Sequence, residues 1–402
     1  MNDAGPDDHP HDHLVHEAVG PALTGVEAGV AIGLGVNGLL VLGVVPVLLG
    51  DLAHAHRLTP AGIGQTAMTE LLSMGITIAL AAIVLKPRRL KLLGAVLCLL
   101  LAAVDLAGVR ASGLGVMALR GLAGALEGLL LWITVGMIAR TVTPERWAGV
   151  FFTAQVLAQL LLAVAFALWV LPRFGPNGGF VALALVSLVT APAALLGPSR
   201  FAPLPTAPGE TGAPPLRGWI ALLATLVYVS AGSAVGVYLE PLADQAGLTV
   251  EVPHTAIWVS LVGQVLGGAT ATAVSGRIRY FAVFLIVSAV TLAGWWVFGQ
   301  TPSAAVFIAT NFMLGLSSIF LAPFLVPMTI DADPSRRAAV QSAGAQLLGG
   351  AMGPLLASFV VGDRDVHGVL WLGAGLMLAG LAVVTWLRLT HRDPPPMPAE
   401  AA

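Results

Sequence analysis

The chain consists almost entirely of apolar blocks separated by short polar links. Each block runs for about twenty residues, which is long enough to cross a bilayer core of roughly 30 Å as a helix. Most blocks lack the polar face of a soluble surface helix, and none shows the ten-residue alternation of a transmembrane β-strand. The pattern therefore predicts an all-α membrane protein with twelve transmembrane helices, near residues 26–50, 64–85, 92–110, 114–139, 149–171, 179–196, 218–241, 255–275, 280–299, 305–329, 338–361 and 368–389.

Composition agrees with a multi-pass membrane protein. Only 10% of the 402 residues are charged and 57% are hydrophobic, whereas a soluble domain carries about 25% charged residues. Cys98 is the one cysteine of the chain and lies inside the third block. The sequence therefore predicts no disulfide framework and no thiolate metal site.

The positive charges lie on alternate links, and this distribution predicts the orientation in the membrane. The links after the even-numbered blocks, together with the C-terminal tail, hold 14 of the 19 lysines and arginines. By the positive-inside rule, both termini are predicted to be cytoplasmic. We expect the membrane to be a bacterial inner membrane.

A proline-rich segment divides the chain. Residues 197–217 contain six prolines and are predicted to form an extended cytoplasmic linker. Six blocks precede it and six follow, which predicts two six-helix bundles at 26–196 and 218–389. The ends, 1–25 and 390–402, are predicted to be cytoplasmic tails, the first of them disordered.

An internal repeat supports two related halves. A shift of 191 residues aligns Arg120 with Asn311, Gly124 with Gly315, and the dipeptide Ala154-Gln155 with Ala345-Gln346. In each half a polar residue in the fourth block is followed by a basic link and then by a glutamine in the fifth. Parallel six-helix repeats are typical of transporters whose halves rock around a site near the membrane midplane.

These features resemble the major facilitator superfamily over about 95% of the chain. Residues 119–128, LRGLAGALEG, resemble the arginine-bearing motif of the family's fourth helix, and residues 349–354, GGAMGP, resemble its Gly-Pro helix kink. The link at 85–91, LKPRRLK, keeps the family's basic cluster but lacks its Gly and Asp. The resemblance implies a twelve-helix secondary transporter of two pseudo-symmetric bundles. It says almost nothing about the cargo.

Charged residues inside the blocks are the first candidates for function, because a charge in a bilayer is costly and usually faces a partner or a cavity. Glu70 and Arg120 lie at similar depths, and Glu127 shares a helix face with Arg120 although about 10 Å separates their Cα positions along the axis. We predict that Glu70, Arg120 and Glu127 form a proton-coupling group. The alternative is a fixed ion pair that braces two helices. Asp105 is interpreted as a structural partner of Arg110 or Arg120.

Neutral polar residues near the midplane are candidates for substrate contact, although a lone amide in a membrane helix equally serves helix–helix packing. Gln155 and Gln159 are spaced i, i+4 and share one face. A neutral or singly anionic, partly apolar cargo fits such a set. The predicted contacts are Asn37, Gln155, Gln159, Tyr228, Gln264, Asn311 and Gln346.

Glycine and proline within the blocks indicate positions where a helix bends. They are interpreted as hinges for a gating motion, with static kinks as the alternative; the predicted hinges are Pro46, Pro323, Gly349, Gly353 and Pro354. In the first tail, three histidines lie beside three acids in the segment 7–13, DDHPHDH. The segment is interpreted as a disordered acidic tail, with weak binding of a divalent ion as the alternative.

The sequence predicts a secondary active transporter, with proton-coupled efflux of a small molecule by alternating access as the leading hypothesis. The first alternative is a proton symporter that imports a small organic acid held by Arg120. A non-transporting membrane sensor or scaffold is the alternative of another class. No zinc-protease motif or phosphate-binding loop occurs. We therefore expect neither an enzyme nor a cofactor, but a monomer whose partners are lipid, protons and cargo, and not nucleic acid.

Overall fold

The computed structural model describes residues 23–44, 48–49, 51–52, 55–202, 213–249, 251–361 and 365–390. Within these ranges every regular element is a helix, apart from one isolated antiparallel bridge between Arg88 and Arg200. The predicted all-α class is therefore confirmed. The predicted hinge Pro46, the histidines of the N-terminal tail and most of the proline-rich linker lie outside the described residues.

Twelve helices of the described chain correspond to the twelve predicted blocks and are named α1 to α12. The first six are α1 Gly25–Leu40, α2 Pro60–Val84, α3 Leu90–Gly108, α4 Leu114–Ile138, α5 Pro144–Ala165 and α6 Leu171–Ala194. The second six are α7 Leu216–Gly236, α8 Glu251–Val274, α9 Tyr280–Phe298, α10 Ala304–Leu321, α11 Arg337–Ala357 and α12 Gly368–Leu389. The basic links after the even-numbered helices α2 to α10 lie at one end of the bundle, which we call the basic face.

Ten stretches of the described chain are long and apolar enough to cross a membrane. One of these runs for 51 residues, from Pro144 to Ala194, and covers both α5 and α6. A straight helix of that length would measure about 76 Å at 1.5 Å per residue, more than twice the bilayer core. The helix α11 is not among the ten, because glycine, serine and glutamine make it the least apolar of the twelve.

The chain reverses direction at Gly175, which lies inside the range given for α6, four residues after Leu171. This residue has φ 59° and ψ −163°, a conformation that is open essentially to glycine alone, and Pro176 follows it. The reversal brings Gly179 against the ring of Phe166. The predicted start of α5 at residue 149 was wrong by five residues. The helix begins with Pro144, whose polar first turn carries too little hydrophobic signal to be counted.

Two other predicted blocks each correspond to more than one helical element. The seventh block ends at Gly236 and is followed by a separate short helix, Leu239–Gln245. The tenth is interrupted by a 3₁₀ turn at Ala322–Phe324, after which the helix Leu325–Ala332 continues. Pro323 lies in this turn, where its ring is incompatible with an uninterrupted α-helix. The α-helix is therefore interrupted at Pro323, and its role as a hinge stays a prediction.

The glycines predicted as hinges in α11 have a packing role in the structure. The helix continues through Pro354 without a break. A Cβ atom at Gly349 would lie 3.1 Å from the Cβ of Val229, and one at Gly353 would lie 2.7 Å from the backbone nitrogen of Ala234. The absence of side chains thus allows α11 to approach α7 closely, and the Ser230 hydroxyl donates to the Gly349 carbonyl over 3.0 Å.

Close glycine packing also recurs at equivalent places in the two halves. In the first half α4 packs on α2, and in the second half α10 packs on α8. A Cβ at Gly124 would lie 3.1 Å from the carbonyl carbon of Glu70, and one at Gly315 would lie 3.0 Å from that of Ser260. The sequence repeat that aligns Gly124 with Gly315 therefore corresponds to the same helix crossing in each bundle.

The two halves meet through α2 against α11 and through α5 against α8. At the second crossing the small residues are reciprocal. A Cβ at Gly149 would lie 3.1 Å from the Cα of Thr272, and one at Gly268 would lie 3.2 Å from the Cα of Thr153. Gly149 is in the second turn of α5 and Thr272 near the end of α8, so this contact lies at the basic face.

An arginine joins the halves at the same face. Arg336, just before α11, donates over 2.9 Å to the carbonyl of Ala139 and over 2.9 Å to that of Thr141, at the end of α4. The last carbonyls of a helix are unpaired within the helix and carry partial negative charge, so a guanidinium is a suitable cap. The basic face is therefore closed by backbone packing and by this arginine.

Replacing Gly149 by valine is expected to separate the halves at the basic face, because the added side chain meets the backbone of α8. In a Cys98→Ser background, a Thr141→Cys probe should react with a membrane-impermeant maleimide at least several-fold faster when Gly149→Val is present. Gly375→Val is the matched control, since nothing lies within 4 Å of a Cβ at that position. Equal labelling rates for the two variants would contradict this account.

Candidate functional site

A buried ionic cluster lies in the first half. Arg120 of α4 is contacted by Glu70 of α2, Asp105 of α3 and Glu127 of α4, and no member is more than 3% exposed. Its Nη1 donates to Asp105 Oδ1 over 2.8 Å and its Nη2 to Glu127 Oε1 over 3.1 Å. Glu70 receives two bonds, one from Nε over 3.1 Å and one from Nη2. One guanidinium thus holds three carboxyl groups.

Local sequence explains this convergence. Glu127 follows Arg120 by seven residues, about 20° short of two full turns, so both side chains leave the same face of α4. Gly124 lies between them, and its lack of a side chain lets α2 approach until the Glu70 backbone touches α4. The carboxyl group of Glu70 is thereby brought beside the guanidinium, where bidentate pairing is geometrically favourable.

The charges of the cluster do not balance if every group is ionised. Three carboxylates and one guanidinium carry a net charge of −2, and all four groups are removed from water. Uncompensated charge in such surroundings costs several kcal/mol per ion. Protonation of carboxyl groups is the available way to restore neutrality. Glu127 Oε2 has no hydrogen-bond partner among the described residues.

The sequence predicted part of this cluster. Depth counting paired Glu70 with Arg120, and the structure places them in contact. Glu127 lies on the same face of α4 as Arg120, and the structure pairs them despite an axial separation of about 10 Å. Asp105 had been interpreted as a structural partner of Arg110 or Arg120; it contacts Arg120 as the third acid. The sequence of α3 alone does not show which neighbouring helix the Asp105 side chain faces.

A cavity of about 410 Å³ lies mainly in the second half, between α7, α8, α9, α10 and α11. None of the residues that line it is an acid, a lysine, an arginine or a histidine. Apolar and aromatic walls with a few polar groups are typical of small-molecule sites. Four of the predicted substrate contacts line it: Tyr228, Gln264, Asn311 and Gln346.

The polar groups of this cavity differ in how much bonding capacity they retain. The Tyr228 hydroxyl lies 2.8 Å from Ser288 Oγ, and the Asn311 amide donates to the Ala256 carbonyl over 2.8 Å. Gln264 and Gln346 are partly exposed, and the described residues offer their side chains no hydrogen bond. These two amides are therefore free to bind a ligand in the cavity.

Sequence reasoning missed the aromatic wall. Trp295 and Phe298 of α9 and Phe152 of α5 line the cavity, together with Met377 of α12. The predicted substrate contacts include no residue of α9 or α12. A tryptophan pair at 295–296 was the available signal, since an aromatic residue in a buried helix position often contacts a ligand.

Three predicted substrate contacts do not line the cavity. Asn37 faces α3 and α6, where its amide lies 3.4 Å from Ser187 Oγ and 3.8 Å from Cys98 Sγ. Gln159 donates over 2.6 Å to the Leu39 carbonyl and so joins α5 to α1. Both amides serve helix packing, the alternative that membrane helices often adopt. Gln155 is buried, and its Oε1 has no partner among the described residues.

Comparison with known proteins identifies the fold. No protein-family profile matches the chain, and no curated protein matches its sequence. Among solved structures, the chain is similar to the major facilitator superfamily transporter FucP in the outward conformation, with a TM-score of 0.69 and 14% identity over 90% of this chain and 98% of that one. A variant of the E. coli fucose:proton symporter FucP gives a TM-score of 0.65 and 15% identity over the same shares. The chain therefore has the major facilitator superfamily fold, which confirms the resemblance found in its sequence.

Replacing Arg120 by glutamine is expected to destabilise the protein by about 3–5 kcal/mol at pH 8, because it leaves buried carboxyl groups without their cation. The deficit should shrink at pH 5, since protonation removes the uncompensated charges. Thermal unfolding of the detergent-purified protein at both pH values measures it. Arg110→Gln is the control, because that arginine is exposed. Wild-type stability of Arg120→Gln at pH 8 would show that the carboxyl groups do not need the guanidinium.

Proposed function

We propose that this chain is a secondary active transporter that moves a small, neutral, partly apolar molecule across the membrane in exchange for protons. The single observation that carries the proposal is the buried cluster of Arg120 with three carboxyl groups inside a membrane bundle. Burying such a group in a membrane bundle costs free energy, and ionisable residues kept there usually mark a functional site. The uncharged cavity supplies the second element of a transporter, a site for cargo.

The proposed coupling group is Glu70, Arg120 and Glu127, joined by Asp105. In this proposal, protons on the cluster offset its excess negative charge while the groups are buried. When a conformational change admits water or loosens the contacts with Arg120, their proton affinity changes, and protons are taken up or released. Binding of protons is then linked to the equilibrium between conformations. The fucose:proton symporter of E. coli supports the idea that this fold accommodates proton coupling.

The proposed cargo site is the cavity lined by Tyr228, Gln264, Asn311 and Gln346. Its lack of charged side chains favours a neutral cargo, and its aromatic wall favours one with an apolar face. Arg120 is buried and already donates four hydrogen bonds to the three acids, which leaves little room for a substrate carboxylate in this conformation. This argues against the alternative in which Arg120 binds an imported organic acid.

The cluster and the cavity lie in different halves, and the crossing of α2 with α11 connects them. Glu70 is on α2, one and a half turns before Gly75, which touches α11: a Cβ at Gly75 would lie 3.0 Å from Leu348 Cγ and 3.3 Å from the Gly344 carbonyl oxygen. Gln346, between Gly344 and Leu348, lines the cavity. A change at Glu70 that moves α2 therefore acts on the helix that carries a proposed cargo contact.

We infer that the structure represents the conformation open to the side opposite the basic face. The closed crossing of α5 with α8 and the Arg336 contacts support this inference. The outward conformation of the similar FucP structure supports it too. By the positive-inside rule, we place the basic face and both termini in the cytoplasm. The proposed membrane is a bacterial inner membrane, and the proposed working unit is a monomer.

The proposed direction is export, on the family resemblance alone. Counterflow of candidate compounds in proteoliposomes, with internal pH recorded, distinguishes export from import by the sign of the accompanying pH change. A sensor or scaffold would show neither counterflow nor a pH change with any compound, and that result would exclude transport.

Replacing Glu70 or Glu127 by glutamine is expected to uncouple transport from the proton gradient while the protein still reaches the membrane. The amide keeps the shape of the side chain but cannot exchange a proton. In proteoliposomes, concentrative transport should fall at least about tenfold, whereas counterflow without a gradient should persist. Glu251→Gln, at an exposed position on α8, is the control. Unchanged pH dependence in both variants would refute the proton-coupling role.

Replacing Gln264 or Gln346 by alanine is expected to weaken cargo binding by about five- to tenfold, the effect of losing one or two hydrogen bonds in a mostly apolar site. The assay is the thermal stabilisation of purified protein by a compound selected from a metabolite library. Gln300→Ala, outside this cavity, is the control. Undiminished stabilisation of both cavity variants would place the cargo elsewhere.

A further inference from the structure

A second cavity, of about 790 Å³, opens at the basic face between α1, α4, α5, the link 85–89 and the segment that follows α6. It is separate from the cargo cavity, and its lining residues come from the first half of the chain. The proposed transport function uses none of them. Four of them are basic: Lys86, Arg88, Arg140 and Arg200.

The charge of this cavity is of one sign. No acidic side chain is among its lining residues in the described part of the chain, and Thr141 and Thr143 add hydroxyl groups. Lys86, Arg88 and Arg200 are exposed, so their charged ends reach solvent at the mouth. Four cations around one cavity produce a positive potential that attracts an anion.

Arg140 forms the buried end of this cavity and is held in a fixed orientation. Its Nε donates to the Ala202 carbonyl over 2.8 Å, its Nη1 to the Gly136 carbonyl over 2.8 Å, and its guanidinium lies 5.5 Å from the centre of the Phe201 ring. Burial, and then the neighbouring charge of Arg336, lower the pKa of Arg140 to about 10. Within the described residues its partners are carbonyl groups and a ring, so its positive charge lacks a counter-ion.

The basic side chains at the mouth come from a rigid frame. The link before α3 and the segment after α6 pair as a short antiparallel bridge, in which Phe201 N donates to the Pro87 carbonyl over 3.1 Å and Leu90 N to the Ser199 carbonyl over 3.0 Å. This pairing places Arg88 opposite Arg200. The cations are thus arranged by the backbone before any ligand arrives, which reduces the entropy cost of binding.

The rest of the wall is apolar. Leu23, Met137, Val142 and Trp147 line the cavity beside the basic groups. A ligand that fills it therefore has an anionic part that faces the arginines and an apolar part that contacts the tryptophan. Arginine recognises phosphate oxygens through several parallel hydrogen bonds, more effectively than it recognises a spherical anion.

We propose that this cavity binds a phosphate ester, with its phosphate oxygens on Arg88, Arg140 and Arg200. Two sources present this chemistry at the basic face. One is the headgroup of an anionic phospholipid in the adjacent leaflet, and the other is a free phosphorylated metabolite. Both share the phosphate that the cations recognise, and the apolar wall accepts either a glycerol backbone or an organic substituent.

The test uses the purified full-length chain and two probes. Native mass spectrometry measures retention of phosphatidylglycerol against phosphatidylcholine, and titration calorimetry measures binding of glycerol 3-phosphate. The double variant Lys86→Gln/Arg88→Gln should weaken binding of the recognised probe at least about tenfold, since each cation near a membrane surface contributes a several-fold effect. Arg200→Gln should weaken it in the same direction.

The matched control is Arg277→Gln/Arg279→Gln, which removes two exposed charges from the same face in the other half. It should change binding less than twofold. Preferential retention of phosphatidylglycerol that the first double variant abolishes identifies a lipid site. Glycerol 3-phosphate binding that the same variant abolishes identifies a metabolite site. Either result supports the proposal.

Two results would overturn it. In the first, neither probe binds the wild-type protein. In the second, both double variants lose binding equally, which would indicate general surface attraction.

Discussion

The first half is organised around one constraint, the burial of three carboxyl groups around a single guanidinium that cannot balance all three when they are ionised. Arg120 reaches Glu70, Asp105 and Glu127 from three different nitrogen atoms, so α2, α3 and α4 are held in one relative arrangement. Each acid would be costly alone, and the arginine without them would be costlier still. Apolar contacts are therefore not the sole link between α2, α3 and α4. The ionic cluster also joins these helices, and its total charge depends on the number of protons that it binds.

That arrangement requires the helices to be unusually close, and glycine makes this possible. Gly124 removes the side chain that would otherwise keep Glu70 away from α4, and Gly315 does the same between α10 and α8. In a bilayer, apolar side chains gain little from leaving lipid, so close backbone contact and polar bonds supply the association energy. The recurrence of the crossing in both bundles explains why the sequence repeat includes the glycines.

The sequence predicted the number and order of the membrane helices because apolar length is a strong signal. It located their ends poorly wherever a polar first turn or a proline intervened, as at Pro144 and Pro323. For the site, counting along a helix gives depth, which was enough to pair Glu70 with Arg120 and to choose Gln264, Asn311 and Gln346. It does not say which neighbour a helix face meets. Asn37 lies at mid-depth, yet its amide bonds to Ser187, while Asp105 on an outer helix turns inward.

The two halves share the glycine helix crossing and differ in the polar residue of the fourth helix of each half. Arg120 aligns with Asn311 in the repeat; the first faces acids, and the second donates to the Ala256 carbonyl on the wall of an uncharged cavity. A charged cluster beside the cargo site would weaken binding of a neutral cargo. The cargo would displace water from the ions without replacing its hydrogen bonds, and this desolvation costs free energy. Placing them in separate bundles removes this conflict and leaves the crossing of α2 with α11 as their connection. Under the proposed mechanism, the energy of protonation reaches the cargo through the packing of Gly75 against Gly344 and Leu348, and without any contact between proton and cargo.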